Sequence, residues 1–120
     1  MFLTEPECLF CKIVAGDVPS TPVYENGTVY AFRDINPQAR VHVLVVSRQH
    51  YEDAGALAGD DPALLADLVL AGVEVARQEG IERSGYRMVF NTGEDAGRTV
   101  FHAHLHVLGG EGLGLFGRVG

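Results

Sequence analysis

The sequence predicts an α+β domain, an antiparallel sheet of about five strands with one main helix and a short N-terminal helix. Four segments are rich in β-branched and aromatic residues. One longer segment repeats its apolar residues at helical spacing. Consecutive strand segments mostly lack a helix between them, which favours antiparallel pairing over βαβ crossovers.

Taken in chain order, a short helix is expected around Phe10–Ala15, ended by Gly16. Strands follow at Val29–Arg33 and Val41–Val46, with turn signals at Gly27 and Asn36-Pro37. Asp60-Asp61-Pro62 starts a helix well, because acidic groups meet the positive end of the helix dipole and proline fits the first turn. Leu64, Leu65, Leu68, Val69, Val73 and Val75 continue at helical spacing up to the stop at Gly80, so the main helix spans roughly 62–79 and packs on the sheet. Strands at Tyr86–Asn91 and Phe101–Leu108 complete the set, separated by the turn signal at Asn91-Thr-Gly93.

A chain of 120 residues reads as one domain over 1–120, with a Gly-rich tail at 109–120. At 47% hydrophobic residues it is globular in composition, and no apolar run approaches the roughly 20 residues of a membrane span. Met1-Phe-Leu-Thr-Glu-Pro-Glu7 lacks the basic and long apolar regions of a secretory signal, so a cytoplasmic location is expected. The formal charge of −7 argues against binding to nucleic-acid duplexes or anionic membranes, both of which need basic surfaces. A small anionic ligand would be held by local donors instead.

The five histidines are His42, His50, His102, His104 and His106. In an extended strand, His102, His104 and His106 stand on one face roughly 6–7 Å apart, while Ala103, Leu105 and Val107 point into a core. Alternation alone is what a half-solvated strand shows. A solvent face, however, normally carries Thr, Lys, Glu or Arg, and three imidazoles in register point to near-neutral proton or metal chemistry.

Cys8 and Cys11 are the only cysteines, and Cys-x-x-Cys reads as a redox dithiol, a disulfide or half of a zinc site. A cytoplasmic setting disfavours the disulfide, and no strand precedes the motif as a thioredoxin-like site would require. Zinc needs two further ligands, for which His50 and His102 are the histidines least needed for chemistry. A free reduced dithiol remains the alternative.

The His-φ-His-φ-His-φ-φ pattern at 102–108, with Asp34-Ile-Asn-Pro-Gln-Ala39 and Val41-His-Val-Leu-Val-Val46 upstream, resembles the histidine-triad (HIT) family of nucleotide hydrolases and transferases. The resemblance runs from about Cys8 to Gly110, and Gly109-Gly110 together with Gly85–Asn91 looks like its Hint branch. It implies an HIT-like sheet and hydrolysis of purine nucleoside 5′-phosphoramidates to a nucleoside monophosphate and an amine. By position, His104 would attack the α-phosphorus and carry the nucleotide, with His42 nearby. His106 would touch the α-phosphate and leaving-group side, and Thr99 would supply a hydroxyl near the departing group, the two together stabilising charge and helping to protonate the amine.

The same resemblance gives Asn91 and the Val100 amide as phosphate or ribose-side contacts and Asp34 as acceptor for the ribose hydroxyls. Leu9, Phe10, Ile13, Phe32 and Ile35 would form the base slot. Cys8, Cys11, His50 and His102 would hold a structural Zn²⁺, with no catalytic metal. The implied partners are a purine nucleotide and a second copy of the chain in a two-fold homodimer, whose tail (Leu113, Leu115, Phe116, Val119) would border the neighbour's pocket. The chain departs from the family in having no Trp in that tail, where Leu115 falls instead, and in carrying Arg98 where many relatives have Gln.

Plainer readings exist for several of these residues. Asp34 fits a cap for the Asn36-Pro37 turn, Thr99 an ordinary strand position, residues 9, 10 and 13 a helix core face, and His42 a satisfied half-buried histidine. Competing functions are dinucleoside polyphosphate or nucleotidyl-sulfate hydrolysis on the same scaffold, a nucleotide-binding interaction module, and a purely structural zinc protein.

Overall fold

A computed structural model describes residues 4–115. The elements are α1 (Leu9–Ala15), β1 (Pro22–Glu25), β2 (Val29–Arg33), β3 (Val41–Ser47), α2 (Ala54–Asp60), α3 (Pro62–Gln78), β4 (Tyr86–Phe90), a 3₁₀ turn at Glu94–Ala96, and β5 (His104–Gly109). The five strands form one antiparallel sheet in the order β1-β2-β3-β5-β4. Among the described residues no helix is long and apolar enough to cross a membrane.

Strand alternation divides the side chains between two apolar clusters. Val29, Ala31, Val43, Val45, Leu105 and Val107 point to one face and pack with Leu57 of α2 and with Leu64, Leu68, Ala71 and Val75 of α3. Phe32, Leu44 and Val46 point to the other face and pack with Phe10 and Ile13 of α1. The histidines of β3 and β5 share this second face with α1, so the short helix covers part of the sheet beside them.

Helix α3 begins where expected. Pro62 opens it, and the Asp61 side chain accepts a hydrogen bond from the Leu64 N–H at 3.1 Å. Its contact line is narrower than the periodicity implies, since Val69, Leu70 and Val73 remain exposed. The helix approaches closely enough that a Cβ on Gly72 would lie 2.7 Å from Met88 Cε and 3.0 Å from Leu105 Cδ2. Gly72→Val is therefore expected to destabilise the fold by roughly 1–3 kcal/mol through overpacking. Chemical denaturation would show this as a lower midpoint at unchanged m-value.

Three elements differ from the sequence reading. Helix α2 had no periodic signal, because Leu57 is the only large apolar residue among Ala54–Asp60 and the helix is set by the Asp53 cap, whose carboxylate accepts the Ala56 N–H at 2.8 Å. Strand β1 has four residues, pairs only with β2 and slips register between Pro22 and Tyr24. Strand β5 begins at His104 rather than Phe101, so His102 is not part of the strand. The ladder between β3 and β5 ends at the Val46–His104 pair. Beyond it the Ala103 N–H donates to the Tyr51 carbonyl at 2.7 Å, and the Ser47 carbonyl lies 2.8 Å from the His102 ring.

Candidate functional site

The divergence at His102 creates two adjacent centres. In the first, His102 Nε2–H donates to the Ser47 carbonyl at 2.8 Å, a bond that only the protonated nitrogen can make. Its Nδ1 lone pair then faces Cys8 Sγ at 3.4 Å, Cys11 Sγ at 3.5 Å and His50 Nδ1 at 3.2 Å, with Cys11 Sγ 3.4 Å from His50 Nδ1. A tetrahedral ion with bonds of about 2.3 Å to sulfur and about 2.0–2.1 Å to nitrogen separates its S and N ligands by about 3.5 Å and its N ligands by about 3.3 Å. Cys8, Cys11, His50 and His102 match these separations and could hold a metal ion. Without metal, burial pushes the Cys11 thiol up to about 11, so the cluster stores protons that an ion would displace. Cys8 also caps α1, its Sγ accepting the Cys11 N–H at 3.4 Å.

The second centre lies on β3 and β5. His106 stands opposite Leu44, and His42 reaches it diagonally across the ladder, bringing His42 Nε2 to 2.8 Å from His106 Nδ1. The Gln38 N–H donates to His42 Nδ1 at 3.0 Å. Next along β5, His104 Nδ1–H donates to the His102 carbonyl at 2.7 Å, which leaves the Nε2 lone pair of a neutral ring free to react. The edge of Phe10 meets the His104 ring at a centroid distance of 5.0 Å. His106 Nε2 is buried and has no hydrogen-bond partner among the described residues.

Burial lowers the proton affinity of all three rings, bringing His106 down to about 3. For His104 the Arg98 charge acts in the same direction, while the His102 carbonyl opposes it. The imidazoles are therefore neutral at pH 7 in the folded protein. An unfolded histidine takes its proton near 6.5, so below that pH the unfolded chain binds more protons and is favoured. Stability is expected to be full above about pH 6.5 and to fall as pH drops toward 3. Thermal melts of metal-free protein at pH 7.5 and 5.0 check this, and an equal or higher Tm at pH 5.0 contradicts it.

A cleft of about 280 Å³ opens against this centre. It is lined by Leu9, Phe10, Ile13, Phe32, Asp34, Ile35, Thr99, Val100, His104 and His106, all expected from the sequence. His42 lies behind His106 rather than on the wall, and Asn91 follows β4 and is not among the lining residues. Val18, Pro19, Ser20, Arg33 and Leu44 were missed. Alternation from His42 puts Leu44 on the same face and could have found it, whereas the loop after α1 gave no signal. Asp34 does act as a turn cap, its Oδ1 accepting the Asn36 N–H at 2.8 Å, yet its Oδ2 also lies 3.4 Å from His42 Nε2.

Thr99 sits in an exposed loop, not in a strand. Just before it, Arg98 is buried, donating from Nη1 to the Glu52 carbonyl at 3.0 Å and stacking over Phe101 at 4.3 Å. These contacts tie the loop that carries Thr99 and Val100 to the segment entering α2. In the tail, Leu115 is exposed, while Phe116 and Val119 lie outside the described residues.

A face of buried neutral imidazoles stands beside a cleft with an apolar slot, an arrangement suited to histidine chemistry. Residues 15–113 match the model of the HIT domain. The chain is 37% identical over 108 residues to a protein of Escherichia coli K12 named purine nucleoside phosphoramidase, covering 90% of this chain and 91% of that protein. It superposes on a HIT family hydrolase from Clostridium thermocellum with a TM-score of 0.90 at 42% identity, covering 94% and 98% of the two chains. A histidine triad protein from Clostridium difficile gives a TM-score of 0.91 at 35% identity, covering 96% of this chain and all of that one. The chain belongs to the HIT family. It is an enzyme of that family, a nucleotide hydrolase.

Proposed function

We propose that the protein hydrolyses purine nucleoside 5′-phosphoramidates through a nucleotidyl-His104 intermediate. The observation that carries this reading is the His104 ring, whose Nδ1–H is held by the His102 carbonyl so that Nε2 keeps its lone pair beside the cleft. The name of the 37% identical relative supports the choice of substrate. His104 Nε2 attacks the α-phosphorus, and water later hydrolyses the N–P bond, dividing one difficult displacement into two. His106 Nε2–H donates to a phosphoryl oxygen, with Thr99, Asn91 and the Val100 amide on the phosphate side. The base enters between Leu9, Phe10, Ile13, Phe32 and Ile35, and Asp34 accepts from the ribose.

Cys8, Cys11, His50 and His102 hold a zinc ion in this reading. All four positions are filled by protein, so the ion is structural and pins the N-terminal segment to the loop ahead of β5. A two-fold homodimer is supported by the edge position of β4 and the exposed Val69, Leu70 and Val73 on α3. The expected cytoplasmic location suits a reduced dithiol available to metal.

The substrate choice is tested by comparing kcat/KM for an adenosine phosphoramidate and a diadenosine polyphosphate. The phosphoramidate is expected to be preferred by at least about tenfold, which corresponds to about 1.4 kcal/mol of transition-state discrimination. Equal turnover, or a preference for the polyphosphate, refutes the assignment.

A further inference from the structure

The departing amine needs a proton, and the hydrogen bonds around His106 decide whether that residue can give one. The Gln38 N–H points at His42 Nδ1, so that nitrogen holds a lone pair and the His42 proton sits on Nε2. His42 Nε2–H then donates to His106 Nδ1 at 2.8 Å, which places the His106 proton on Nε2. Two of the four ring nitrogens then carry a proton and two a lone pair, and three of the four have partners, His106 Nε2–H alone being left for a ligand. A third proton has no seat while the Gln38 amide stays bonded, because the gap between the rings holds only one. Loss of the Nε2 proton would leave an anionic ring in a buried site.

We propose that Gln38, acting through its backbone amide and His42, locks His106 as a permanent hydrogen-bond donor to the α-phosphoryl group, and that the amine takes its proton from water instead. The proposal rests on the nucleotidyl-histidine reading. The groups facing the pair are Asp34 from the loop after β2, with Oδ2 3.4 Å from His42 Nε2, and His104 on β5, its ring 5.0 Å from that of His106. Asp34 favours a further proton on His42, while burial opposes it and is the larger effect.

A second, outer cleft of about 470 Å³ shares Leu9, Thr99 and Val100 with the nucleotide cleft and carries Glu5, Glu7 and Glu52. It adjoins the nucleotide cleft on the Thr99 side, and the proposal takes its water from there. In the first step the His104 Nε2 lone pair forms the new N–P bond, and the P–N bond to the amine breaks with its electron pair on nitrogen. That nitrogen takes a proton from a water molecule of the outer cleft, and the hydroxide left behind is neutralised by the proton released when water later hydrolyses the nucleotidyl-histidine.

Long-range ¹H–¹⁵N spectra of the histidine rings test the lock without substrate. From pH 8 to 5, His106 is expected to keep an unprotonated Nδ1 and a protonated Nε2, and an imidazolium forming with a midpoint above about pH 5 overturns the proposal. Gln38→Pro removes the amide proton and is expected to let His42 protonate at higher pH than in the wild type; titration unchanged in a folded variant overturns the role of Gln38. Should that variant not fold, the wild-type spectrum alone decides.

The proton source is read from single-turnover nucleotidylation by His106→Gln. With an adenosine alkyl phosphoramidate and with the p-nitrophenyl ester of AMP, whose leaving group needs no proton, the variant is expected to lose the same factor within about threefold. A loss of about 10²-fold or more on the amide that disappears on the ester is the signature of a missing general acid and overturns the proposal. If neither substrate labels the wild type, the nucleotidyl-histidine reading fails, while the ring spectra still uphold or overturn the lock.

Discussion

Replacing His104 by alanine is expected to lower kcat/KM for an adenosine phosphoramidate by at least about 10⁴-fold while leaving the fold intact. Loss of a nucleophile costs about this much or more when the rest of the site still binds and orients the substrate. The ring is buried at the start of β5, and its Nδ1–H has a single partner, the His102 carbonyl. Truncation leaves that carbonyl without its donor and a small cavity beside Phe10, so a few degrees of Tm are expected to be lost. AMP affinity, which depends on the slot and on Asp34 in the proposed reading, is expected to fall by less than about tenfold. Steady-state kinetics alongside AMP titration separates the two effects, and a comparable loss in both would assign His104 to binding rather than to bond formation.

The second large effect is expected from the metal cluster. Cys11→Ala is expected to abolish stoichiometric zinc in the purified protein and to lower Tm by on the order of 10–20 °C. An ion at 1,000 times its dissociation constant stabilises the fold by about 4 kcal/mol, and each kcal/mol moves Tm by several degrees in a domain of this size. The reason lies in what the ion would join, since Cys8 and Cys11 open α1, His50 follows β3, and His102 precedes β5. Phe10 and Ile13 of α1 complete the apolar cluster on the histidine face, so loosening the helix is expected to raise KM as well. Metal analysis and melting curves check this, and a metal-free wild type with the same Tm as Cys11→Ala would leave the cluster as a free dithiol.

Much of the site was legible because its chemistry is local in sequence. His104 and His106 are two residues apart, and strand alternation is enough to put them on one face with Leu105 and Val107 on the other. His102 obeyed the same spacing but not the same structure, because the ladder ends two pairs before it and the ring turns to Ser47 and the cysteines. No periodicity encodes such an ending, which depends on where β3 stops and on a carbonyl left without a strand partner. The ligand set was nevertheless reached from spare histidines and family resemblance, neither of which requires His102 to lie in the strand.

Other parts were hidden for identifiable reasons. Val69 and Val73 match the helical period, yet the sheet is met by a line that includes Ala71, Gly72 and Ala76, small residues a hydropathy pattern undervalues. Helix α2 is an Ala and Gly segment whose start is set by one aspartate. The bond from the Gln38 amide to His42 involves no side chain of Gln38, so residue identity carried no trace of it. Asp34 shows the opposite case, a residue for which the plain turn-cap reading and the cleft position both hold.

The covalent histidine step is tested most directly by rapid-quench intact-mass spectrometry during turnover of an adenosine phosphoramidate. A nucleotidyl adduct is expected within the first turnover, mapped by peptide fragmentation to His104 and absent from His104→Ala. Hydrolysis that proceeds at the full rate with no adduct at any quench time, or an adduct on another residue, would contradict it.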